Sequence, residues 1–320
     1  MTKPMPKRHL GSLEVSAIGL GCMPMSWGYD VESADPEEMR AMAHRAVELG
    51  VTLFDTADAY GPFTNEVLVG EYLMADGFRD QIQVATKVGL IPTSSTSYDK
   101  NAKPEYIKQA CDDSLQRLQL DYIDLYQLHR IDPEVPVEES WGAMAELVQA
   151  GKVRHLGLSE VTVDEIKRVQ PIHSVASVQS ELSIWTSENI DNGVVAFCNE
   201  NNIGFLAFSP LGRGFLTGEV TAGNIKEGDF RSNNPRFTKD AIEANQAIVE
   251  GIGEVAKRHN ATNAQVSLAW TQAQGPNVVP IPGTKRRKWL EQNVESVHVA
   301  LTAQDLADIA ALPKPSAPRY

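Results

Sequence analysis

The chain of 320 residues carries 29 basic and 42 acidic side chains, a formal charge of −13, with 42% hydrophobic and 22% charged residues. Such a balance is ordinary for a globular protein and disfavours nucleic acid or an anionic membrane surface as a partner, because both are polyanions. No apolar run approaches the ~20 residues that span a bilayer, and residues 1–10 lack the apolar centre of a signal peptide. Cys22, Cys111 and Cys198 are scattered without a CxxC pair, which fits a reducing cytoplasm and argues against a structural metal site.

Residues 7–15 predict a short β-hairpin around Gly11-Ser12, placed to plug the bottom of a barrel. Residues 16–19 predict a first barrel strand, followed by a loop over 21–30. An amphipathic helix is expected over 35–49, with Pro36 in its first turn and Gly50 at its C′ position. The apolar run 51–54 reads as a strand and leads, through a loop opened by Asp55, to a helix over about 65–74. Strands at 82–86, 122–128, 153–158 and 175–179 are followed by helices at 104–118, 137–150, 163–169 and 188–201. A strand at 204–208 precedes a glycine-containing segment, 211–236, suited to a lid. Helices at 239–259 and 263–274, a strand at 278–281, a helix at 285–297 and a terminal helix at 304–312 complete the chain.

This alternation gives about eight strand–helix units, the pattern of an α/β (β/α)8 TIM barrel. The expectation is a single barrel domain over residues 1–320, with an N-terminal hairpin and extra helices near the C-terminus. Short, mostly apolar strands fit a parallel sheet buried on both faces. An open doubly wound sheet lacks its glycine fingerprint: Gly19-Leu20-Gly21 begins like one, but Pro24 stands in place of the third glycine.

Four polar residues stand at or just past strand ends: Asp55, Tyr60 in the loop beyond it, Lys87 and His129. In a parallel barrel those ends converge on the face that carries chemistry. Each residue alone has an ordinary reading: a turn aspartate, an exposed lysine, a core tyrosine, a structural histidine. Together they describe an acid poised over a carbonyl. A phenol titrates near pH 10, and an ammonium ~4 Å away at an effective dielectric of ~20 stabilises its anion by about 4 kcal/mol, roughly three pKa units before burial opposes it. Lys87 is therefore expected to acidify Tyr60, Asp55 to hold Lys87 charged, and His129 to orient the carbonyl oxygen.

These residues sit in stretches that resemble the aldo-keto reductase family over nearly the whole chain. The matching stretches are Phe54-Asp55-Thr56-Ala57-Asp58-Ala59-Tyr60-Gly61, Lys87, Leu128-His129, Gly157-Leu158-Ser159, Gln179-Ser180-Glu181, Ser209-Pro210-Leu211-Gly212-Arg213-Gly214 and Ile281-Pro282-Gly283-Thr284. Within that family the chain is similar to the branch of bacterial and plant pyridoxal and perakine reductases. The resemblance implies a catalytic tetrad of Asp55, Tyr60, Lys87 and His129, with Tyr60 as proton donor. It also implies a nicotinamide cofactor held without a Rossmann domain, and reversible reduction of an aldehyde or ketone to an alcohol.

It further implies that Ser159 and Gln179 hold the nicotinamide carboxamide. Many members follow that serine with Asn; Glu160 stands here, and a carboxylate cannot donate as an amide does. Phe208 is a candidate to stack on the ring, and the loop carrying Ser209, Leu211, Gly212 and Arg213 to cradle the pyrophosphate. Gly283 and Thr284 precede Lys285-Arg286-Arg287-Lys288 at an expected helix start, where cations oppose the helix dipole unless an anion sits there. The 2′-phosphate of NADP is that anion, with Lys285 and Arg286 as its ligands, Gln292 and Asn293 facing the adenine, and NADPH preferred over NADH.

Trp27, Tyr29 and Trp185 are expected to wall an apolar substrate pocket. No basic residue is evidently dedicated to an acidic substrate, so a neutral small-molecule carbonyl or alcohol is expected, with no metal. The rival reading is a cofactor-binding, redox-sensing regulatory subunit with negligible turnover, against which stands the lack of a long segment before the barrel. Nothing in the sequence speaks to oligomeric state.

Overall fold

A computed structural model describes residues 4–29, 35–93, 97–221, 223–225 and 229–319. Strands β1 (Lys7–Leu10) and β2 (Leu13–Ser16) form the N-terminal hairpin, antiparallel through the Gly11 turn. The first barrel strand is β3 (Leu20–Gly21), a few residues later than 16–19, because Ser16 is still paired within the hairpin. Then follow α1 (Pro36–Glu48), β4 (Leu53–Asp55), α2 (Thr64–Val69) continued by a π turn over Gly70–Met74, and β5 (Gln83–Val88). Asp35 caps α1 by accepting from Glu37 N, and Gly50 takes φ +83° just past its end, so both expected boundaries hold.

A second hairpin, β6 (Leu90–Pro92) with β7 (Tyr98–Lys100), was not foreseen. The alternation resumes with α3 (Pro104–Leu118), β8 (Ile123–Leu128), α4 (Val137–Gln149), β9 (Val153–Ser159), α5 (Val163–Val169) and β10 (Ser177–Glu181). The helix expected over 188–201 is two, α6 (Glu188–Asp191) and α7 (Val194–Glu200), parted by Gly193 at φ +83°. After β11 (Gly204–Phe208), short 3-10 turns carry much of the segment 211–236, of which residues 222 and 226–228 lie outside the described residues. The stretch 239–259 divides at Asn245 into α8 (Lys239–Ala244) and α9 (Gln246–Arg258). Then come α10 (Asn263–Gln272), β12 (Val278–Pro280), α11 (Arg287–Glu295) and α12 (Ala303–Ala310).

Eight parallel strands run in the order β12-β11-β10-β9-β8-β5-β4-β3. The ring closes where Gly21 bridges Gly283 in parallel, with Gly19 N donating to Pro280 O at 2.9 Å and Gly21 N to Pro282 O at 3.3 Å. This seam needs glycine on both sides: a Cβ on Gly21 would lie 2.7 Å from Ile281 O, and one on Gly283 would lie 2.8 Å from Gly21 O.

Inside the ring Leu53, Ala85, Leu125, Leu206 and Val279 pack with Leu10 and Val15 of the hairpin, which thus seals the amino-terminal end as expected. Arg8 ties the hairpin down by donating to Gln272 O and Gly275 O. The outer strand faces pack on the helices, as Phe54 and Val84 do with Met39 and Met42 of α1. With one end stopped, the carboxyl-terminal strand ends form the open mouth.

Candidate active site

A cavity of about 730 Å³ opens at that mouth, well within the size of small-molecule sites. Asp55, Tyr60 and His129 line it, and Lys87 lies directly behind. Lys87 belongs to β5 itself rather than to the loop after it, and its side chain is fully buried. Its Nζ donates to Asp55 Oδ1 at 2.5 Å, Thr56 O at 2.8 Å and Tyr60 Oη at 3.2 Å, so all three ammonium hydrogens have acceptors. Burial works against this charge, yet the Asp55 carboxylate outweighs it and holds Lys87 above the ordinary lysine value.

Lys87 pulls Tyr60 towards acidity as expected, but the net result is not an acidified phenol. Burial raises the phenol, Lys87 opposes that rise, and Asp55 partly cancels Lys87, leaving Tyr60 above its ordinary value. A tyrosine facing an ion pair feels a dipole rather than a bare cation. Tyr60 therefore keeps its proton at neutral pH, which suits a donor. His129 stands at the end of β8, its ring 5.9 Å from that of Tyr60 at 84°. Burial, helped by Arg130 and Lys87, lowers His129 far below the usual imidazole value, so the ring is neutral. Its Nδ1 is buried without a hydrogen-bond partner among the described residues.

Gln127 is a participant that sequence reading missed. It pairs in register with Lys87, and its Nε2 donates to Asp55 Oδ2 at 3.2 Å. Gln179 on β10 donates from Nε2 to the same Oδ2 at 2.7 Å and to Gln127 Oε1 at 3.2 Å. A carboxylate only accepts, so both amide nitrogens must face Asp55. Gln179 thus has both amide hydrogens engaged, and what it can offer a carboxamide is its oxygen. The signal was present: a buried glutamine inside the apolar run of β8, on the same level as the lysine.

Ser159 ends β9 and lines the cavity, its Oγ accepting from Arg130 Nη1 at 3.1 Å. Phe208, Ser209, Leu211, Arg213, Gly283, Thr284 and Lys285 also line it. Gly212 does not: its amide donates to Ser209 O, that of Gly214 to Leu211 O, and a Cβ on Gly212 would meet the Trp185 ring at 2.9 Å. The loop's cradle is therefore narrower than expected. Lys285 donates to Tyr29 O at 2.8 Å. It precedes α11 rather than lying on it, since Arg286 is extended and caps the helix. Arg286 is exposed, and Arg286, Gln292 and Asn293 stand outside the cavity lining.

Trp27 and Tyr29 wall the cavity as expected, and Trp27 lies 5.9 Å from the Tyr60 ring. Trp185 does not wall it. It is 3% exposed, stacked at 4.2 Å on Phe215 and edge-on to Phe237, because Gly212 leaves room for its ring beneath the loop. Tyr98 of the unforeseen hairpin instead meets Trp27 at 5.5 Å, edge to face.

Glu160 acquires a purpose. At φ +54° it turns back, and its carboxylate accepts from both terminal nitrogens of Arg319 at 2.8 and 3.0 Å. Arg319 Nε donates to Glu181 Oε2 at 2.7 Å, and its guanidinium lies 5.6 Å from the Phe208 ring. Arg236 Nε donates to Ala317 O and Asn234 Nδ2 to Arg319 O, so the tail is strapped across the rim beside the mouth. Burial raises the Glu160 carboxyl, but Arg319 outweighs it and holds it below the usual range.

The residues present fit a nicotinamide dinucleotide. Gln179 and Ser159 offer an acceptor and a hydroxyl beside Tyr60 and His129, and Lys285, Arg213 and Arg231 reach the lining of one cavity, the two arginines also paired with Glu181 and Asp229. Among the described residues no cluster could hold a metal ion, and no helix is long and apolar enough to cross a membrane.

Comparison with known proteins identifies the family. The model of the aldo/keto reductase family matches residues 17–314. A curated relative, the probable aldo-keto reductase 1 of Glycine max, is 41% identical over 92% of this chain and 85% of its own length. Among solved structures, the glycerol dehydrogenase AKR11B4 of Gluconobacter oxydans superposes with a TM-score of 0.85 at 26% identity, covering 98% of each chain. The holo form of the aldo-keto reductase AKR11C1 of Bacillus halodurans does so with a TM-score of 0.79 at 28% identity, over 98% of this chain and 97% of that one. The chain therefore belongs to the aldo/keto reductase family and is an NAD(P)H-dependent oxidoreductase.

Proposed function

We propose that this single-barrel enzyme reduces an aldehyde or ketone to its alcohol with NADPH, reversibly, and that Tyr60 delivers the proton. The observation that carries the reading is Tyr60 Oη at 3.2 Å from a buried Lys87 that is itself locked to Asp55 at 2.5 Å, all beneath one cavity. The bound cofactor supplies the hydride that the carbonyl carbon gains. The protein's share is the rest. Neutral His129 places an N–H beside the carbonyl oxygen, and Tyr60 holds its proton until negative charge develops there. Lys87 stabilises the phenolate left behind, and Asp55, fixed by Gln127 and Gln179, keeps Lys87 charged.

Ser159 and the Gln179 oxygen hold the carboxamide, Phe208 flanks the ring, and Arg213 meets the pyrophosphate. Lys285 and Arg286 take the 2′-phosphate. Arg286 supports this, since its guanidinium has no carboxylate partner among the described residues, whereas Arg287 pairs with Glu38 at 3.1 Å. Three buried free cysteines support a cytoplasmic location.

A panel of aldehydes and ketones, followed by NADPH absorbance, tests the reading. Turnover that Tyr60→Phe abolishes, with NADPH affinity retained, is the expected result. Tight NADPH binding without turnover of any carbonyl would overturn it in favour of a regulatory subunit.

A further inference from the structure

The substrate was expected to be neutral because no basic residue stood out for it. The cavity lining is otherwise. Among the described residues its charged members are Asp55, Lys100, Arg130, Arg213, Arg231 and Lys285. Asp55 is already paired to Lys87, and two of the five cations are balanced from outside the lining, Arg231 by Asp229 at 2.6 Å and Arg213 by Glu181 at 3.5 Å. Arg213, Arg231 and Lys285 belong to the segments that follow β11 and β12, the side assigned above to the dinucleotide.

Arg130 and Lys100 lie elsewhere. Arg130 directly follows His129, and Lys100 ends the β6–β7 hairpin. Arg130 and Asn101, the residue after Lys100, flank Gly89: a Cβ there would sit 3.6 Å from Arg130 O and 3.8 Å from Asn101 O. Arg130 Nη1 is engaged, donating to His129 O at 2.6 Å and Ser159 Oγ at 3.1 Å. Its Nε and Nη2, the two donors along one edge of the guanidinium, have no protein partner among the described residues, and neither cation pairs with a carboxylate there. That edge has the geometry that takes a carboxylate through two parallel hydrogen bonds. Beside it Tyr98 and Trp27, 5.5 Å apart, offer an aromatic wall.

Resting on the carbonyl-reductase reading, we propose that the preferred substrates are aldehydes or ketones bearing a carboxylate, held by Arg130 with Lys100 at the rim while Trp27 and Tyr98 cover the apolar body. A partly desolvated charge-assisted pair of this kind predicts a preference of about 10–100-fold over the neutral analogue.

The test compares kcat/KM for 4-carboxybenzaldehyde and methyl 4-formylbenzoate, with NADPH saturating. The ester is the more electron-withdrawing substituent, so intrinsic reactivity opposes the expected preference for the acid. Arg130→Met should collapse the acid-to-ester ratio to near one, Lys100→Met should lower it by about threefold, and Arg130→Lys should restore part of it. Because the readout is a ratio, damage to cofactor binding or folding that slows both substrates equally does not imitate the result. A wild-type ratio at or below one, or a ratio unchanged in Arg130→Met, would overturn the carboxylate site. Failure of the reductase reading looks different. Neither aldehyde would then turn over, while 4-(hydroxymethyl)benzoate would still quench the protein fluorescence of the wild type and not of Arg130→Met.

Discussion

Replacing Lys87 with methionine removes one cation and strips three acceptors at once: Asp55 Oδ1, Thr56 O and Tyr60 Oη. At the 3.2 Å separation of Nζ and Tyr60 Oη, an effective dielectric of ~20 gives an upper bound of about 5 kcal/mol for the attraction between ammonium and phenolate, or about four pKa units. Asp55 screens part of this, so a loss of about 100- to 10,000-fold in the rate of reduction is expected. The assay is single-turnover oxidation of NADPH by a saturating aldehyde, repeated across pH. The alkaline limb set by Tyr60 should move upward in the variant, since burial and Asp55 then act on the phenol against Arg130 alone.

Breaking a buried pair also costs about 3–5 kcal/mol of stability, so thermal unfolding must accompany the kinetics. Tyr60→Phe keeps the Lys87–Asp55 pair and provides the control for a folded but acid-less site. If a folded Lys87→Met variant reduced aldehydes within about threefold of the wild type, far short of the loss expected of an acid–base partner, the account of the proton would be refuted.

Other outcomes are equally specific. Lys285→Ala with Arg286→Ala should reduce the preference for NADPH over NADH by about tenfold or more, read as the ratio of the two kcat/KM values. Because burial keeps His129 neutral in the folded chain, kcat/KM for reduction should show no histidine limb between about pH 6 and 8. The same shift makes stability fall as pH drops below the unfolded histidine value near 6.5, where only the unfolded chain takes up that proton. Glu160 has its folded-state pKa depressed, so its contribution is complete above the unfolded value of about 4.3 and disappears as pH falls through the folded one. Glu160→Gln should lower Tm by about 2–4 °C at neutral pH and narrow that acid dependence in thermal scans. Trp185→Ala should cost about 3–5 kcal/mol in denaturant titration, with little change in KM for small aldehydes.

What the chain order revealed and what it concealed have physical causes. Eight alternating units were legible because parallel strands buried on both faces read as apolar runs, and Asp35, Pro36 and Gly50 mark α1 by their own conformational chemistry. The convergence of Asp55, Tyr60, Lys87 and His129 on one mouth was legible because a carboxylate, a lysine and a histidine at apolar strand ends are costly to bury without partners. Gln127 escaped because a neutral amide inside a strand draws less notice than a charge, although its register with Lys87 gives it a partner. Trp185 misled because an aromatic after a barrel strand serves a pocket or a loop core equally well, and the space left by Gly212 decides which. The Glu160–Arg319 contact joins residues that no local pattern relates. The β6–β7 hairpin is only three residues a side, too short for period-two alternation to register.

The seam between Gly21 and Gly283 bears on how the molecule is made. During synthesis β3 emerges early, with the amides of Gly19 and Gly21 destined for the carbonyls of Pro280 and Pro282. Until that late segment has left the ribosome, the nascent sheet keeps an open edge of the kind that invites pairing with another chain. Seven strands can already associate, but the last ladder is the most non-local contact in the ring and should form slowest. A helper that shields nascent edges should therefore raise the yield of active enzyme more than its folded stability would lead one to expect.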